Sequence, residues 1–203
     1  MSSKRVGILG GTFSPVHQGH MELCKKTLEK NLADEVWLMP CRRNPLKEYE
    51  ADLDDELRLD LLKKASDFYN ALLGSESIKI TEIELNMPSP SYTANTMKRL
   101  LTLNPDIDFR IIVGSDSYLN FGKWKEHDWL EKNFKPIVYP RPGYEIENLK
   151  EGWAILEDAE LFPVSSTDIR HMIGRGETEL NMMPWLKEND IWKIKKRLSQ
   201  SHH

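Results

Sequence analysis

The sequence predicts an α/β fold, in which a parallel β-sheet carries helices on both faces and a C-terminal helical segment follows over about residues 165–200. Short apolar runs alternate along the chain with longer segments whose apolar residues recur every three or four positions. Parallel strands need long crossover connections, which such helices supply. No repeat or linker divides the chain, so we expect a single domain over residues 1–203. The predicted strands are residues 6–9, 35–40, 77–84, 108–113, 136–139 and 153–156.

The first strand and the first two helices follow from apolar spacing. Residues 6–9 form an apolar run that suits burial on both faces, and Gly10 and Gly11 end it. The apolar residues of the first helix recur with a helical period at Met21, Cys24, Leu28 and Leu32. The core face of the second helix is predicted to carry Leu57, Leu61, Ala65, Phe68 and Tyr69.

Hydroxyl residues mark the starts of two later helices. We expect Thr93 to cap one helix, and Ser166 or Thr167 to cap another that runs to about Gly174. A terminal helix is predicted from Pro184. Its apolar side is expected to carry Trp185, Ile191, Trp192 and Leu198.

Bulk composition limits the classes of partner. The net charge of −4 over 203 residues argues against a broad nucleic-acid-binding surface. No apolar run approaches the roughly 20 residues that a membrane helix needs, so neither nucleic acid nor a membrane is expected as a partner. Cys24 and Cys41 are too few for a disulfide framework, which favours a cytoplasmic location. A homo-oligomer remains open, and the final Ser-His-His resembles an expression-tag remnant.

Two histidines follow the glycine pair at the start of the first helix. His17 and His20 are three residues apart, so they lie on one side of a helix, and Gly19 lets a ligand approach the backbone. A glycine turn, unpaired N–H groups at a helix N-terminus and two imidazoles together predict a phosphate-binding site. A zinc site that includes Cys24 and a pair of ordinary surface histidines are the alternatives.

A second candidate phosphate site lies near the C-terminus. In Ser165-Ser-Thr-Asp-Ile-Arg170, hydroxyls stand at a predicted helix start and an arginine follows one turn later. Backbone N–H groups, hydroxyls and a guanidinium fork can together hold phosphate oxygens. The alternative is a plain capped helix with a surface arginine. Two phosphate sites at one sheet fit a polyphosphate substrate better.

A basic loop follows the second strand. Residues 41–54 include Arg42, Arg43 and Lys47, just beyond the carboxyl end of that strand. Open α/β sheets bind ligands at this edge, although a solvated basic loop is the alternative.

The motifs and their order resemble a known family. The spacing Gly-Gly-Thr-Phe-x-Pro-x-His-x-Gly-His over residues 10–20 resembles the first signature of the nucleotidylyltransferase superfamily, with its HxGH motif. The chain is similar to bacterial-type nicotinate-nucleotide adenylyltransferases. It departs from their pattern at two positions: Ser14 stands where the family usually has Asp, and Leu46 stands where relatives commonly have His. A serine can also cap a helix start. The other matching segments are 44–47, 90–93, 114–116, 124–125, 141–143 and 165–170.

The resemblance implies a Rossmann-like sheet and adenylyl transfer from ATP to nicotinate mononucleotide, with Mg²⁺ carried as the ATP counter-ion and no metal site in the protein itself. It implies that the catalytic residues His17 and His20 contact the ATP phosphates together with Arg170. It also implies that Lys47 approaches the mononucleotide phosphate and that the pyridine base lies among Tyr92, Thr93 and Trp124. The implied ATP-binding residues are Gly10, Gly11, Thr12, Phe13, Gly19, Ser165, Ser166, Thr167 and Arg170. The implied mononucleotide-binding residues are Lys47, Tyr92, Thr93, Gly114, Asp116, Trp124 and Arg141.

The chemistry of this transfer needs no enzyme nucleophile. A phosphate monoester has a second pKa of about 6 and is mostly dianionic near pH 7, so it can attack without a general base. Positioning and charge stabilisation are what the enzyme must supply. An imidazole with a pKa of about 6.5 can become cationic beside phosphates, so His17 and His20 are expected to stabilise charge on the α- and β-phosphates.

Other functions remain open at this point. Nicotinamide mononucleotide or phosphopantetheine could be the acceptor, CTP could be the donor, and a non-catalytic nucleotide-binding module is a candidate of another class. Class I aminoacyl-tRNA synthetases share a related histidine motif, but this chain is short and acidic and lacks a KMSKS-like loop.

Overall fold

The computed structural model describes residues 3–41, 53–88, 92–157, 164–177 and 181–200. It contains a six-stranded sheet in which all paired strands are parallel. Its strand order is β3-β2-β1-β4-β5-β6, which confirms the predicted α/β, Rossmann-like fold. The strands are β1 Lys4–Gly11, β2 Glu35–Pro40, β3 Ile78–Ile80, β4 Ile107–Gly114, β5 Ile137–Tyr139 and β6 Ala154–Ile155.

The strand order places a crevice at one edge of the sheet. β1 pairs with β2 on one side and with β4 on the other, so the chain first adds strands on one side of β1 and then on the other. At such a switch point the connections leave in opposite directions and open a crevice at the carboxyl ends of the strands. Gly11 ends β1 and Gly114 ends β4, so the motifs that follow these two glycines lie at this carboxyl edge.

Helices cover both faces of the sheet. Leu9 of β1 belongs to the apolar cluster that includes residues of α1, α2, α6 and α7, whereas its neighbour Ile8 belongs to the cluster with α3 and α5. Among the described residues, none of the helices has the combination of length and apolar character that a membrane span requires. The helices are α1 Gln18–Glu29, α2 Asp55–Leu73, α3 Thr93–Leu103, α4 Ser115–Leu119, α5 His127–Asn133, α6 Ser166–Gly174 and α7 Glu188–Gln200, with a 3₁₀ turn over Phe121–Lys123.

Ion pairs fix the C-terminal helix on α2. Asp190 is buried, and its carboxylate accepts hydrogen bonds from Lys64 Nζ at 2.5 Å and from the Lys187 N–H at 3.0 Å. Near the other end of α7, Arg197 lies 2.7 Å from the carboxylate of Asp54. The predicted C-terminal helical segment is therefore present and docks on the same face of the sheet as α2.

The third strand is shorter than predicted. β3 ends at Ile80, whereas the alternating pattern predicted a strand over residues 77–84. Beyond it the chain forms turns, and Glu84 is only 4% exposed. Its carboxyl accepts a hydrogen bond from the Thr96 hydroxyl at 2.7 Å, and burial raises its pKa. The alternation therefore reflects a turn that packs against α3.

Two other helix boundaries differ from the prediction. Tyr92, and not Thr93, is the N-cap of α3, and it makes no side-chain capping bond. α7 begins at Glu188 and not near Pro184. Trp192 was predicted on its apolar side but is 57% exposed, because the side chain lies on the outer face of the helix, where Lys196 Nζ is 5.1 Å from its ring centroid.

The cap of α6 is also one residue earlier than predicted. Ser165 accepts a hydrogen bond from the Asp168 N–H at 3.2 Å, and its own N–H donates to the Asp168 carboxylate at 2.8 Å. This is a capping box, so Ser165 caps the helix and neither Ser166 nor Thr167 does. Ser166 is used elsewhere, since its hydroxyl donates to the carbonyl of Pro15 at 2.9 Å.

Candidate active site

Two side chains of α6 hold the turn that follows β1. Arg170 Nη1 donates a hydrogen bond to the carbonyl of Ser14 at 2.8 Å. The Ser166 hydroxyl donates to the next carbonyl, that of Pro15, at 2.9 Å. These bonds join residues 156 and 151 positions apart in the sequence. The two segments predicted to bind one polyphosphate are therefore in direct contact at the carboxyl edge.

The turn itself has an unusual backbone at Phe13. Its φ is 48°, in the left-handed region that costs a non-glycine residue about 1–2 kcal/mol. Its ring is buried, and a Cβ on Gly11 would lie 3.1 Å from that ring. Gly11 is therefore needed for close packing, and any contact of Phe13 with ATP would involve its main chain.

The two predicted catalytic histidines lie side by side. His17 is the N-cap of α1, and its ring centroid is 3.9 Å from that of His20. The His17 N–H donates to Nδ1 of His20 at 3.3 Å. Because Nδ1 of His20 accepts this bond, the neutral imidazole carries its proton on Nε2. Phe13 supports the same ring edge-on at 5.0 Å.

His17 is neutral in this structure near pH 7. Burial, together with the positive charge of Arg141, lowers the pKa of His17 to about 4, and the carboxylate of Asp168 acts in the opposite direction. Nδ1 of His17 is buried without a hydrogen-bond partner among the described residues. The cationic imidazole expected from the sequence therefore requires bound phosphate, whose negative charge would raise this pKa.

Arg141 extends over the end of β4. Its main-chain N–H donates to the Ser115 hydroxyl at 2.8 Å, and Nη2 donates to the Tyr139 hydroxyl at 2.8 Å. Nη1 lies 3.3 Å from the Asp116 carboxylate. A Cβ on Gly114 would lie 2.6 Å from Nε of Arg141 and would also clash with Oδ1 of Asp116, so the glycine leaves room for both side chains. The charge of Arg141 acts on His17, which connects this cluster with the histidines.

Three of the residues predicted around the pyridine base occur in two neighbouring segments. Lys125 Nζ lies 4.7 Å from the ring centroid of Tyr92, which brings the 124–125 segment to the start of α3. Thr93 is the first residue of that helix. Trp124 packs against Phe121, and its Nε1 is buried without a partner in the part of the chain that the structure describes.

The hydroxyls of the α6 motif bind protein atoms. Ser165 donates to the Asp168 carboxylate at 2.7 Å, and Thr167 accepts from Arg170 Nη2 at 3.3 Å. Together with Ser166, they position the helix start and the guanidinium. The Ser14 hydroxyl, interpreted from the sequence as a helix cap, is buried and accepts the Leu53 N–H at 3.1 Å instead.

The remaining predicted site residues lie near these groups or outside the residues that the structure describes. Thr12 follows β1, and its hydroxyl is 3.8 Å from the sulfur of Cys41. Gly10 lies in β1, and Gly19 in the first turn of α1. Lys47, with Arg42 and Arg43, lies outside the described residues.

The surroundings of Cys24 do not favour the zinc alternative. This cysteine is fully buried on α1, and burial raises the pKa of its thiol, whereas zinc binds a thiolate. Nδ1 of His20 already accepts a main-chain hydrogen bond. The described ranges contain no group of three His, Cys, Asp or Glu side chains that could hold a metal ion.

Comparisons with known proteins agree with this geometry. The model of the cytidylyltransferase-like family matches residues 8–172. A Bacteroides fragilis protein named a probable nicotinate-nucleotide adenylyltransferase is 35% identical, over 87% of this chain and 86% of its own length. A Porphyromonas gingivalis protein of the same name is 32% identical, over 91% of this chain and 92% of its own length. The chain belongs to the nicotinate-nucleotide adenylyltransferase family.

Solved structures show the same fold as this adenylyltransferase-family chain. The Plasmodium falciparum nicotinic acid mononucleotide adenylyltransferase complexed with NaAD aligns with a TM-score of 0.65 at 20% identity, over 97% of this chain and 95% of that one. The P. falciparum protein complexed with APC gives a TM-score of 0.61 at 21% identity, over 98% and 96%. Identities this low support the fold, and the family assignment rests on the family model and the curated relatives.

Sequence reasoning missed Arg58 of α2, which is 0% exposed. Its Nη1 donates to the carbonyls of Thr12 at 2.6 Å and Cys41 at 2.8 Å, and its Nη2 lies 2.6 Å from the Asp55 carboxylate. A signal was available, because Arg58 precedes the core residue Leu62 by four positions and the helical period places both on the buried face. A charged residue in a buried stripe needs specific partners.

The C-terminal segment also contributes to the first helix. The Gln18 N–H, in the first turn of α1, donates to the carbonyl of Met182 at 2.9 Å. No motif predicted this bond, since a carbonyl acceptor can come from any residue.

This edge of the adenylyltransferase fold can hold a polyphosphate. α1 and α6 both begin here, and their N-termini add partial positive charge to the guanidinium groups of Arg141 and Arg170. The imidazoles of His17 and His20 add hydrogen-bond donors, and His17 can gain charge when an anion binds. Such an arrangement has the chemistry to bind a negatively charged substrate and to stabilise charge that develops as a phosphate bond breaks.

Proposed function

We propose that this enzyme transfers the adenylyl group of ATP to nicotinate mononucleotide, giving deamido-NAD and pyrophosphate in NAD biosynthesis. The contact of Arg170 and Ser166 with the turn after β1 carries the proposal, because it unites two phosphate-binding motifs at the switch point of the sheet. The curated relatives are named for this reaction, which supports the choice of acceptor. Tyr92 and Trp124 offer aromatic surface for a pyridine ring.

The reaction is a single phosphoryl substitution. A phosphate oxygen of the mononucleotide attacks the α-phosphorus of ATP and forms a new P–O bond. The bond from the α-phosphorus to the bridging oxygen breaks, and pyrophosphate leaves with that electron pair. Repulsion between the two anions and charge on the leaving group are the main barriers.

Each proposed catalytic group lowers one of these barriers. Arg170 and the N-terminus of α6 bind phosphate oxygens, and Arg141 contributes charge beside His17. The Nε2–H of His20 donates to the triphosphate, because Nδ1 is already an acceptor. His17 gains a proton when phosphate raises its pKa, and both imidazoles then stabilise the departing pyrophosphate.

Mg²⁺ enters this proposal as part of the ATP complex. The edge presents mostly cationic and aromatic side chains, and this donor set fits a metal bound through substrate phosphates and waters. When bound, Mg²⁺ neutralises part of the triphosphate charge. We expect the enzyme to act in the cytoplasm on small nucleotides, without nucleic acid or a membrane.

Pyrophosphate release tests the proposal directly. The enzyme is incubated with ATP and Mg²⁺ together with nicotinate mononucleotide, nicotinamide mononucleotide or phosphopantetheine, and kcat/KM is measured for each. We expect the highest value with the nicotinate compound and a much lower rate when CTP replaces ATP. A higher kcat/KM with another acceptor would reassign the substrate. ATP binding without pyrophosphate release from any mixture would identify a non-catalytic module.

A further inference from the structure

We propose that Arg58, which lies beneath the site, is a positioning residue that sets the main-chain turn for ATP binding. Its activity test rests on the proposed function. The proposal is supported by the contacts of one buried guanidinium, which donates hydrogen bonds to the carbonyl of Thr12, directly after β1, and to the carbonyl of Cys41, directly after β2.

Stability alone does not account for an arginine at this position. Arg58 is 0% exposed, and its Nε has no hydrogen-bond partner among the described residues. A buried charge is costly, and replacing one with an apolar side chain of similar size is often neutral or stabilising. Its ion pair is with Asp55, whose side chain is 41% exposed. The hydrogen bonds to the two carbonyl groups therefore explain the presence of an arginine better than the ion pair with Asp55 does.

Those contacts act on the strained part of the turn. Phe13 has a φ of 48°, and such a conformation persists only when the surrounding structure determines it. Arg58 holds the carbonyl of Thr12 on one side of Phe13, and Arg170 holds the carbonyl of Ser14 on the other. Because the peptide unit is planar and trans, fixing the Thr12 carbonyl also fixes the direction of the Phe13 N–H. Arg58 thereby orients a main-chain donor in the phosphate-binding turn.

The same guanidinium joins the ends of two strands. The Cys41 N–H donates to the carbonyl of Gly11 at 3.0 Å, and Arg58 binds the carbonyl of Cys41 at 2.8 Å. One nitrogen, Nη1 of Arg58, binds both the Thr12 and the Cys41 carbonyls, and it thus sets the distance between the end of β2 and the start of the turn. A lysine ammonium has donors for both carbonyls but lacks the second, rigidly held nitrogen that contacts Asp55, so it can satisfy only part of this geometry.

Two variants of Arg58 and a matched control test the inference. Arg58→Lys keeps the charge, and Arg58→Met fills the space without donors. Asn70→Ala is the control, because Asn70 is also buried on α2 but makes its two 2.9 Å bonds with the main chain of Ile78, at the opposite edge of the sheet. For each protein we would measure Tm, kcat and KM for both substrates, and Kd for a non-hydrolysable ATP analogue.

We expect kcat/KM for ATP to fall about 10²-fold in Arg58→Met, because a misplacement of about 1 Å costs roughly that much. Arg58→Lys should recover about tenfold of this loss, and the Kd of the analogue should rise in the same order. Asn70→Ala should lower Tm while kcat/KM and Kd stay within about twofold of the parent.

The inference is overturned if both Arg58 variants keep kcat/KM and Kd within twofold of the parent, or lose no more than Asn70→Ala loses. It is also overturned if neither variant folds, because Arg58 would then be a determinant of folding. If the parent enzyme releases no pyrophosphate, the proposed function fails, and the Kd of the ATP analogue still tests Arg58.

Discussion

The amino edge and the carboxyl edge of the sheet differ in how completely their buried polar groups are hydrogen-bonded. At the amino edge, Glu35 is buried, and its carboxylate accepts hydrogen bonds from Lys4 at 2.5 Å, Lys79 at 2.6 Å and Trp37 Nε1 at 2.9 Å. Burial alone would raise its pKa, but these three bonds outweigh burial and lower it. The amino edge is therefore a completed network that ties β1, β2 and β3 together.

The carboxyl edge leaves polar atoms incompletely bonded. Within the described ranges, six buried side-chain atoms lack a hydrogen-bond partner. Four belong to this edge, namely Nδ1 of His17, Nε of Arg58, Oδ1 of Asp116 and Nε1 of Trp124, and the other two are Nε of Arg110 and Nε1 of Trp185. Buried polar atoms in folded proteins are normally paired, so each such atom needs an explanation. The contrast indicates that the amino edge stabilises the fold, whereas the carboxyl edge retains capacity for a ligand at some cost in stability.

The largest effect on activity is expected from His20→Ala. Removing the imidazole takes away a donor to the triphosphate, so kcat should fall by roughly 10²–10³, as for the loss of one oxyanion donor. Tm should change little, because His20 is partly exposed. His171→Ala, which removes an exposed histidine from α6, is the control. Parent-like turnover in His20→Ala would end the assignment of His20 as a catalytic residue.

The next largest effect is expected from Arg170→Ala. This change removes a phosphate-binding charge and the bond to the carbonyl of Ser14, so kcat/KM for ATP should fall about 10²-fold. Arg170→Lys should be intermediate, because an ammonium cannot reproduce the guanidinium fork. Arg175→Ala removes an exposed arginine just after the same helix and should leave steady-state kinetics unchanged. Equal kinetics for Arg170→Ala and Arg175→Ala would contradict the role of Arg170.

A smaller effect on activity is expected from Gly114→Ala. The added Cβ would crowd Asp116 and Arg141, but both contacts are with side-chain ends that can move. We therefore expect kcat/KM to fall about tenfold and the free energy of unfolding to change by less than about 1 kcal/mol. Gly122→Ala adds a Cβ with no heavy atom within 4 Å and serves as the control. A large loss of Tm with unchanged kinetics would show that Gly114 stabilises the fold and has no part in substrate binding.

Glu35→Gln should affect stability and leave turnover within about twofold of the parent. Losing the carboxylate weakens three hydrogen bonds, and because Lys4 and Lys79 are partly exposed we expect about 1–2 kcal/mol at pH 7. Since folding lowers the pKa of Glu35, its contribution is present above the ordinary value of 4.5 and is lost as pH falls through the lower folded value.

Urea unfolding of parent and Glu35→Gln between pH 7 and pH 3 measures this dependence, with exposed Glu147→Gln as the control. The difference in unfolding free energy should be largest at pH 7 and shrink in acid. A difference that grows in acid, or a fall in kcat, would contradict the division between the two edges.

Local patterns predicted much of the fold and the place of the site. Alternating strands and helices gave the parallel sheet, and because parallel strands end at a common edge, Gly11 and Gly114 could be placed near one another. Two separate phosphate-binding patterns predicted that the α6 motif and the turn after β1 lie close together, but not the direct bond from Arg170 to the Ser14 carbonyl. These features depend on spacing within short segments, which a single sequence displays.

Features that depend on tertiary partners were predicted less well. Residues around Glu84 alternate like a strand, but its bond to Thr96 turns the chain toward α3. Ser166 looked like a helix cap, yet its hydroxyl binds Pro15. Arg58 looked like an ordinary helix residue because its acceptors are main-chain carbonyls, which carry no sequence signature. The roles of the residues predicted to bind the mononucleotide stay predictions.

The bond from Gln18 to Met182 has a consequence for synthesis of the chain. The paired histidines leave the ribosome well before Arg170, Ser166 and the carbonyl of Met182, because a long stretch of chain separates the two segments. A nascent chain that stops before α6 contains the HxGH motif without the donors that hold its turn. The turn therefore gains its full set of hydrogen bonds only after α6 and the segment around Met182 have been made.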